Sequence, residues 1–208
     1  MRFIAWFLSV VFFPLFIPIY GSFLLFSMEL FSYYPSFYIW NAYIAIFAFG
    51  TLIPFLSIFI LYKLKVASDI GLTKQKDRTV PYLCTAFSCF ICALALDRLA
   101  MPMFVPMLAV GAAVSLFINS IVTLWWKISA HMTGIGGLFG GILFVSYQFQ
   151  INPYEWIIAT LLVSGMIASA RLYLNAHTPG QLVAGFLNGA LCTIIIPGLN
   201  LGCWLRLW

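Results

Sequence analysis

Seven apolar runs occupy most of this chain, at about 3–27, 41–62, 81–97, 103–126, 132–149, 155–174 and 180–200. A helix needs roughly 20 mostly apolar residues to cross the hydrocarbon of a bilayer, and each run meets or nearly meets that length. Inside lipid every backbone N–H and C=O must be satisfied within the protein, which leaves helices and closed barrels. The runs show no alternating strand pattern and no internal repeat, so helices are expected throughout. The predicted fold is all-α: a polytopic transmembrane helix bundle of about six to seven spans, forming a single domain over residues 1–208.

Composition agrees. Hydrophobic residues make up 64% of the chain and charged ones 7%, with a mean hydropathy of +1.07, far from the roughly half-apolar usage of soluble domains. The net charge of +5 is dispersed. With no basic arm and no zinc-finger spacing, nucleic acid is not expected as a partner. Basic residues beside apolar spans suit anionic lipid headgroups instead. Cysteines 84, 89, 92, 192 and 203 lie mostly within the apolar runs. Cys89 and Cys92 share a helical face, but no acid or histidine stands near enough to complete a ligand set, and they read as small hydrophobes.

The N-terminal "MRFIAWFLSVVFFPLFIPIYGSFLLF" starts like a signal peptide, with one Arg before an apolar run. It is as long as a span and lacks a small-x-small site before Gly21, so a retained first helix is expected, bent near Pro14 and Pro18. Pro54, Pro106 and Pro197 fall inside spans, where lipid-embedded helices tolerate them. Gly134, Gly136, Gly137, Gly140 and Gly141 line the fifth run and predict a central helix that others approach closely.

Counting crossings places connections 63–80, 127–131 and 171–179 on the same face as the N-terminus. That face holds Lys63, Lys65, Lys74, Lys76, Arg78, Lys127, Arg171 and both histidines, against Glu29, Asp97, Arg98, Glu155 and Arg206 on the other. Lys63, Lys65 and Lys76 read as topological or headgroup charges, and Asp97–Arg98 as an interfacial pair. Excess Lys and Arg predicts that the motif-bearing face is cytoplasmic, in a multi-pass protein of the cell (inner) membrane.

Three pieces converge on this face: "KQKDRTVP" with Lys74 and Arg78, "KISAHMTG" with Ser129 and His131, and "ARLYLNAHTPGQ" with Arg171, His177 and Gln181. Cations and imidazoles at helix ends suit a phosphate group. Arg offers a planar fork of donors and Lys a point charge. Helix N-termini near His131 and near Thr178-Pro179 would present N–H groups to the same anion, with Thr178 as N-cap and Pro179 at the first helical position.

In order and spacing the three pieces resemble the signature motifs of the type 2 phosphatidic acid phosphatase superfamily of membrane lipid phosphatases, over about residues 63–190. Arg171, five residues and His177 match its third motif, Ser129 and His131 its second, and Arg78 with Lys74 its first. The resemblance implies hydrolysis of a lipid phosphomonoester or diphosphate, such as phosphatidate, phosphatidylglycerophosphate or a polyprenyl phosphate. It implies His177 as the nucleophile that forms a phosphohistidine, and His131 as the proton donor to the leaving alkoxide. Lys74, Arg78, Ser129 and Arg171 would hold the phosphoryl group, and no metal or cofactor is implied. The chain departs from the pattern in several places. Gly71 stands seven before Arg78 where a Lys is usual, Thr79-Val80 separate Arg78 from Pro81, and Ala130 and Ala170 replace Gly and Ser. Gln181 occupies the place of the acid that orients the nucleophilic histidine, with Asp69 and Asp77 the acids open to substitute for it. A second class therefore stays open: a non-hydrolytic transporter or binding protein for a phosphate-bearing lipid or small anion.

Overall fold

The computed structural model of the chain describes residues 2–199, so Cys203 and Arg206 lie outside the described residues. Every regular element among them is helical. Seven helical stretches are long and apolar enough to cross a bilayer: Arg2–Phe26, Ser36–Lys63, Gln75–Arg98, Phe104–Val122, Ala130–Phe149, Tyr154–Tyr173 and Pro179–Gly198. The protein is an all-α, multi-pass membrane bundle, and its outer surface carries exposed apolar side chains such as Phe87, Phe117, Leu161 and Leu162.

Proline divides the first two spans. The first consists of α1 (Arg2–Val11), a 3-10 turn at Pro14–Phe16 and α2 (Ile17–Phe26). Pro14 and Pro18 sit in the first turns of their segments, where a missing N–H costs least. The expected bend is thus a full break. Some of the carbonyls it frees are taken up by side chains: Tyr20 donates to Val11 O at 2.8 Å and Thr51 to Leu15 O at 2.7 Å. The second span comprises α3 (Ser36–Phe47), a π-helical stretch Ala48–Leu52 and α4 (Ile53–Lys63). Pro54 disturbs the ladder there, and Ser88 donates to Phe49 O at 2.6 Å. The remaining spans are single helices: α5 (Thr79–Arg98), α6 (Phe104–Val122), α7 (Ala130–Phe149), α8 (Tyr154–Tyr173) and α9 (Pro179–Gly198).

The most extensive packing is between α7 and α9, and glycine makes it possible. A Cβ on Gly136 would collide with Phe186 O, one on Gly140 with Ala190 O, and one on Gly189 with Thr133 O. A Cβ on Gly185 would stand 2.6 Å from Ser129 O. Gly136 and Gly140 on one helix thus face Gly185 and Gly189 on the other, four residues apart in each. This is the small-residue seam that lets helices meet backbone to backbone in lipid. Helix α6 joins it through polar groups. Asn119 Nδ2 donates to Thr133 Oγ1 at 2.9 Å, while Asn188 Nδ2 donates to Asn119 Oδ1 at 3.0 Å and Ser115 O at 2.9 Å. The central position predicted for the fifth span is the observed one.

A buried cluster including Leu25, Phe26, Phe31, Leu96, Val105 and Val145 fills the end of the bundle away from the motif-bearing loops. A second, with Ile17, Met132, Ile135, Ile167 and Leu182, supports the start of α7. Cys89, Cys92 and Cys192 are free and buried, as small apolar groups.

Substituting the seam should therefore be costly. Gly189→Val should lower stability by at least the roughly 1–3 kcal/mol typical of overpacking, read as a fall in unfolding temperature in detergent. Gly165→Ala, with nothing within 4 Å of the added Cβ, should leave it unchanged or slightly raised.

Candidate functional site

Helices α5, α7 and α9 all begin at the motif-bearing face, which brings their positive dipole ends together. Arg78 immediately precedes α5, His131 is the second residue of α7, Arg171 lies in the last turn of α8, and His177 stands two residues before α9. All four side chains line one cavity. Arg78, His131 and His177 are 5%, 8% and 7% exposed, respectively. Among the described residues no Asp or Glu lines this cavity.

Each group is held by identifiable partners. Arg78 donates from Nε to Leu72 O at 2.7 Å and from Nη1 to Ile128 O at 3.1 Å. Leu72 adopts a left-handed backbone (φ 49°), uncommon for a bulky residue, and its carbonyl is the one Arg78 clamps. Arg171 reaches Ser9 Oγ through Nη1 at 3.4 Å, and its Nε is buried without a hydrogen-bond partner. Two guanidiniums thus share a cavity with neutral partners only.

The histidine tautomers follow from their partners. His177 Nδ1 lies 3.2 Å from Lys127 O and 3.1 Å from Gln181 Oε1. A carbonyl and an amide oxygen both accept, so Nδ1 carries the proton and Nε2 keeps its lone pair. Gln181 Oε1 also accepts from Thr178 N at 3.1 Å, which fixes the amide's orientation. Gln181 is the third residue of α9, the capping-box position. The same oxygen therefore closes the helix start and orients the imidazole. His131 Nε2 donates to Ser9 O at 3.0 Å. The break before Pro14 makes this possible: Phe13 N bonds Val10 O, leaving the Ser9 carbonyl without its helical partner.

Burial, the guanidiniums of Arg78 and Arg171, and to a smaller degree the Lys127 ammonium push His177 down to about 4, against a smaller upward effect of Gln181. Burial chiefly lowers Lys127 as well, with Arg78 and Arg171 adding to it. His177 is neutral at pH 7.

The remaining predicted residues do other work. Ser129 is fully buried; its Oγ caps α7 by accepting from Met132 N at 3.4 Å, and its own N–H goes to Gln181 O. It supports the turn that carries His131 and is not part of the cavity lining. Lys74 is exposed and donates to Ser68 Oγ at 3.1 Å. It lines a separate surface hollow with Lys76 and Lys127, and the structure does not bring it to the cavity. Neither loop acid replaces the missing carboxylate, since Asp69 accepts from Thr73 and Asp77 from Ser68 N. Sequence reasoning missed Ser9 and Tyr82, both at the site. Ser9 acts partly through its main chain, which has no sequence signature, and Tyr82 sits one turn into α5 like any interfacial aromatic.

No protein-family model, curated protein or solved structure matches the chain.

The depressed His177 value has a measurable consequence. An unfolded chain takes up this proton near 6.5 and the folded one only near 4. Stability should therefore be fully retained above about pH 6.5 and fall as pH drops from there towards 4, because the unfolded state binds the proton first. Unfolding temperature measured against pH should show the drop, and His177→Gln should make it shallower.

Proposed function

We propose that the protein is a metal-independent lipid phosphate phosphatase that works through a phosphohistidine, as its resemblance to the type 2 phosphatidic acid phosphatases implies. The observation that carries this reading is the cavity itself. It has two arginines with neutral partners, three converging helix N-termini, an imidazole whose Nε2 lone pair is free, and no carboxylate in its lining. Such a field favours a phosphate dianion, and imidazole and guanidinium groups without carboxylates are a poor donor set for magnesium or calcium.

In the proposed reaction Nε2 of His177 attacks phosphorus as the ester P–O bond breaks. Arg78 and Arg171 hold the equatorial oxygens, supplying the charge stabilisation that dominates phosphoryl transfer. The leaving alkoxide takes its proton from a water held at the Nδ1 lone pair of His131, whose Nε2–H is committed to Ser9 O. Water then cleaves the P–N bond, releasing phosphate and regenerating the imidazole. Gln181 fixes the tautomer but adds no counter-charge to the phosphoimidazole, so turnover is slow. That neutral amide favours the second reading, a phosphate-lipid binding or transport protein, over efficient hydrolysis.

Phosphate release from a panel of lipid phosphates by purified protein decides between them. Turnover should survive EDTA, vanish in His177→Ala and change little in Lys76→Ala. The acid limb of kcat/KM should lie nearer pH 4 than 6.5, because protonation removes the nucleophilic lone pair. Gln181→Glu keeps the acceptor geometry and adds charge, and should raise turnover about tenfold, roughly 1.4 kcal/mol in the barrier; Gln181→Asp, one methylene shorter, should gain less. No release from any lipid phosphate by any of these forms would leave the binding reading.

We also propose that the site faces the cytoplasm of the cell (inner) membrane, supported by Arg2, Lys63, Lys65, Lys76 and Lys127 on its face. Lys76→Cys should resist membrane-impermeant thiol reagents in intact cells and react once the cells are opened.

A further inference from the structure

We infer that the cavity behind the cationic mouth is a channel for the substrate's hydrocarbon tail and that it takes a single chain. The inference rests on the phosphate reading of the mouth. The lining runs from Tyr82 to Leu96 along α5 and from His131 to Val145 along α7. Those are 15 residues on each helix, 14 steps of 1.5 Å or about 21 Å, some two-thirds of a roughly 30 Å hydrocarbon core. Helix α6 runs the other way, and its Val105 meets Leu96 and Val145 in the buried cluster at the far end. The cavity thus passes through the middle of the bundle, between an anion-demanding end and an apolar floor.

Its walls suit an alkyl chain. The charged lining residues are Arg78 and Arg171, both at the mouth. The hydroxyls along the walls donate to backbone carbonyls: Ser22 to Ile19, Thr85 to Pro81, Ser115 to Ala112, Thr133 to Ser129 and Thr193 to Gly137. Among the described residues the Tyr82 phenol, one turn below Arg78, is the lining hydroxyl not engaged in this way, and an apolar cavity does not hold water firmly. The volume is about 280 Å³. An apolar cavity of about 150 Å³ accepts benzene, so by proportion this one holds on the order of a dozen carbons in one file. The two acyl chains of a diacyl lipid exceed that. A substrate with one linear tail, alkyl or isoprenoid, fits both ends.

A single-chain alkyl phosphonate of about sixteen carbons, long enough for the roughly 21 Å of lining, with a terminal photoreactive diazirine, applied to the full chain in lipid nanodiscs, tests this. Peptide mapping after illumination should find the label on Leu96, Val105 or Val145. Ala112→Phe, which fills the channel midway, should reduce floor labelling at least tenfold, and a two-chain phosphonate with the same tail should label the floor at least tenfold less. Label confined to outward residues such as Phe87, Phe117 and Leu161 would overturn the channel, whatever the behaviour of the variant. Equal floor labelling by the two-chain probe would overturn its single-chain selectivity. If the same tail on a trimethylammonium head labels the floor equally well, the channel stands and the phosphate reading of the mouth fails.

Discussion

The backbone contact between α7 and α9 is the constraint on which the site depends. In lipid the hydrophobic effect does little to press helices together, because the surrounding chains are as apolar as the side chains. Close approach must come from packing and hydrogen bonds, and four glycines remove the side chains that would prevent it. Both helices begin at the same face. Holding their axes together therefore holds their first turns together, with His131 on one and His177 just ahead of the other. Ser129 is the joint: its hydroxyl caps α7 while its N–H bonds the carbonyl of Gln181 in the first turn of α9. Asn119 and Asn188 fasten α6 to the same pair deeper down, so the turns that carry the two histidines rest on a frame buried in the membrane.

The electrostatics follow a different logic from a soluble ion-pair site. Two guanidiniums are drawn into the bundle mouth with carbonyl and hydroxyl partners alone. Neutral acceptors satisfy N–H groups without cancelling charge, so the mouth keeps its positive field, to which the helix N-termini add. The left-handed Leu72 and the proline break at Ser9 fit this arrangement. Each is a local irregularity that turns a carbonyl towards a functional side chain, Leu72 O to Arg78 and Ser9 O to His131. Backbone strain of this sort persists where the surroundings over-determine it.

Much of this was legible from residue order alone. Runs of apolar residues locate all seven spans, since length and hydropathy are the conditions for crossing. Parity of crossings puts Arg78, His131, Arg171 and His177 on one face, and spacing adds that they sit at helix ends. Parity says nothing of where a side chain points, and that is where Lys74 went astray: on an exposed loop its flexible stem turns to Ser68. Ser9 lay outside the motif-bearing region, and its role runs largely through a carbonyl freed by a proline five residues on. The π-helical stretch at Ala48–Leu52 was equally hidden. It depends on Pro54 and on Gly50 meeting Pro18 of another span, where an added Cβ would stand 3.0 Å from the ring. The channel was invisible for the same reason, as the gap between helices belongs to no one of them.

Gln181 brings the two halves of the structure into one atom. Its Oε1 closes the first turn of α9 through Thr178 N and receives the His177 Nδ1 proton. A residue in the third helical position has the reach for both, which is why Glu and Gln share the capping-box preference. A carboxylate there would stabilise imidazolium, but it would also place a negative charge in a mouth whose other groups all favour an anion. The amide keeps the tautomer and leaves the field intact. On the phosphate reading proposed above, the neutral residue shifts the balance towards holding the anion and away from releasing it quickly.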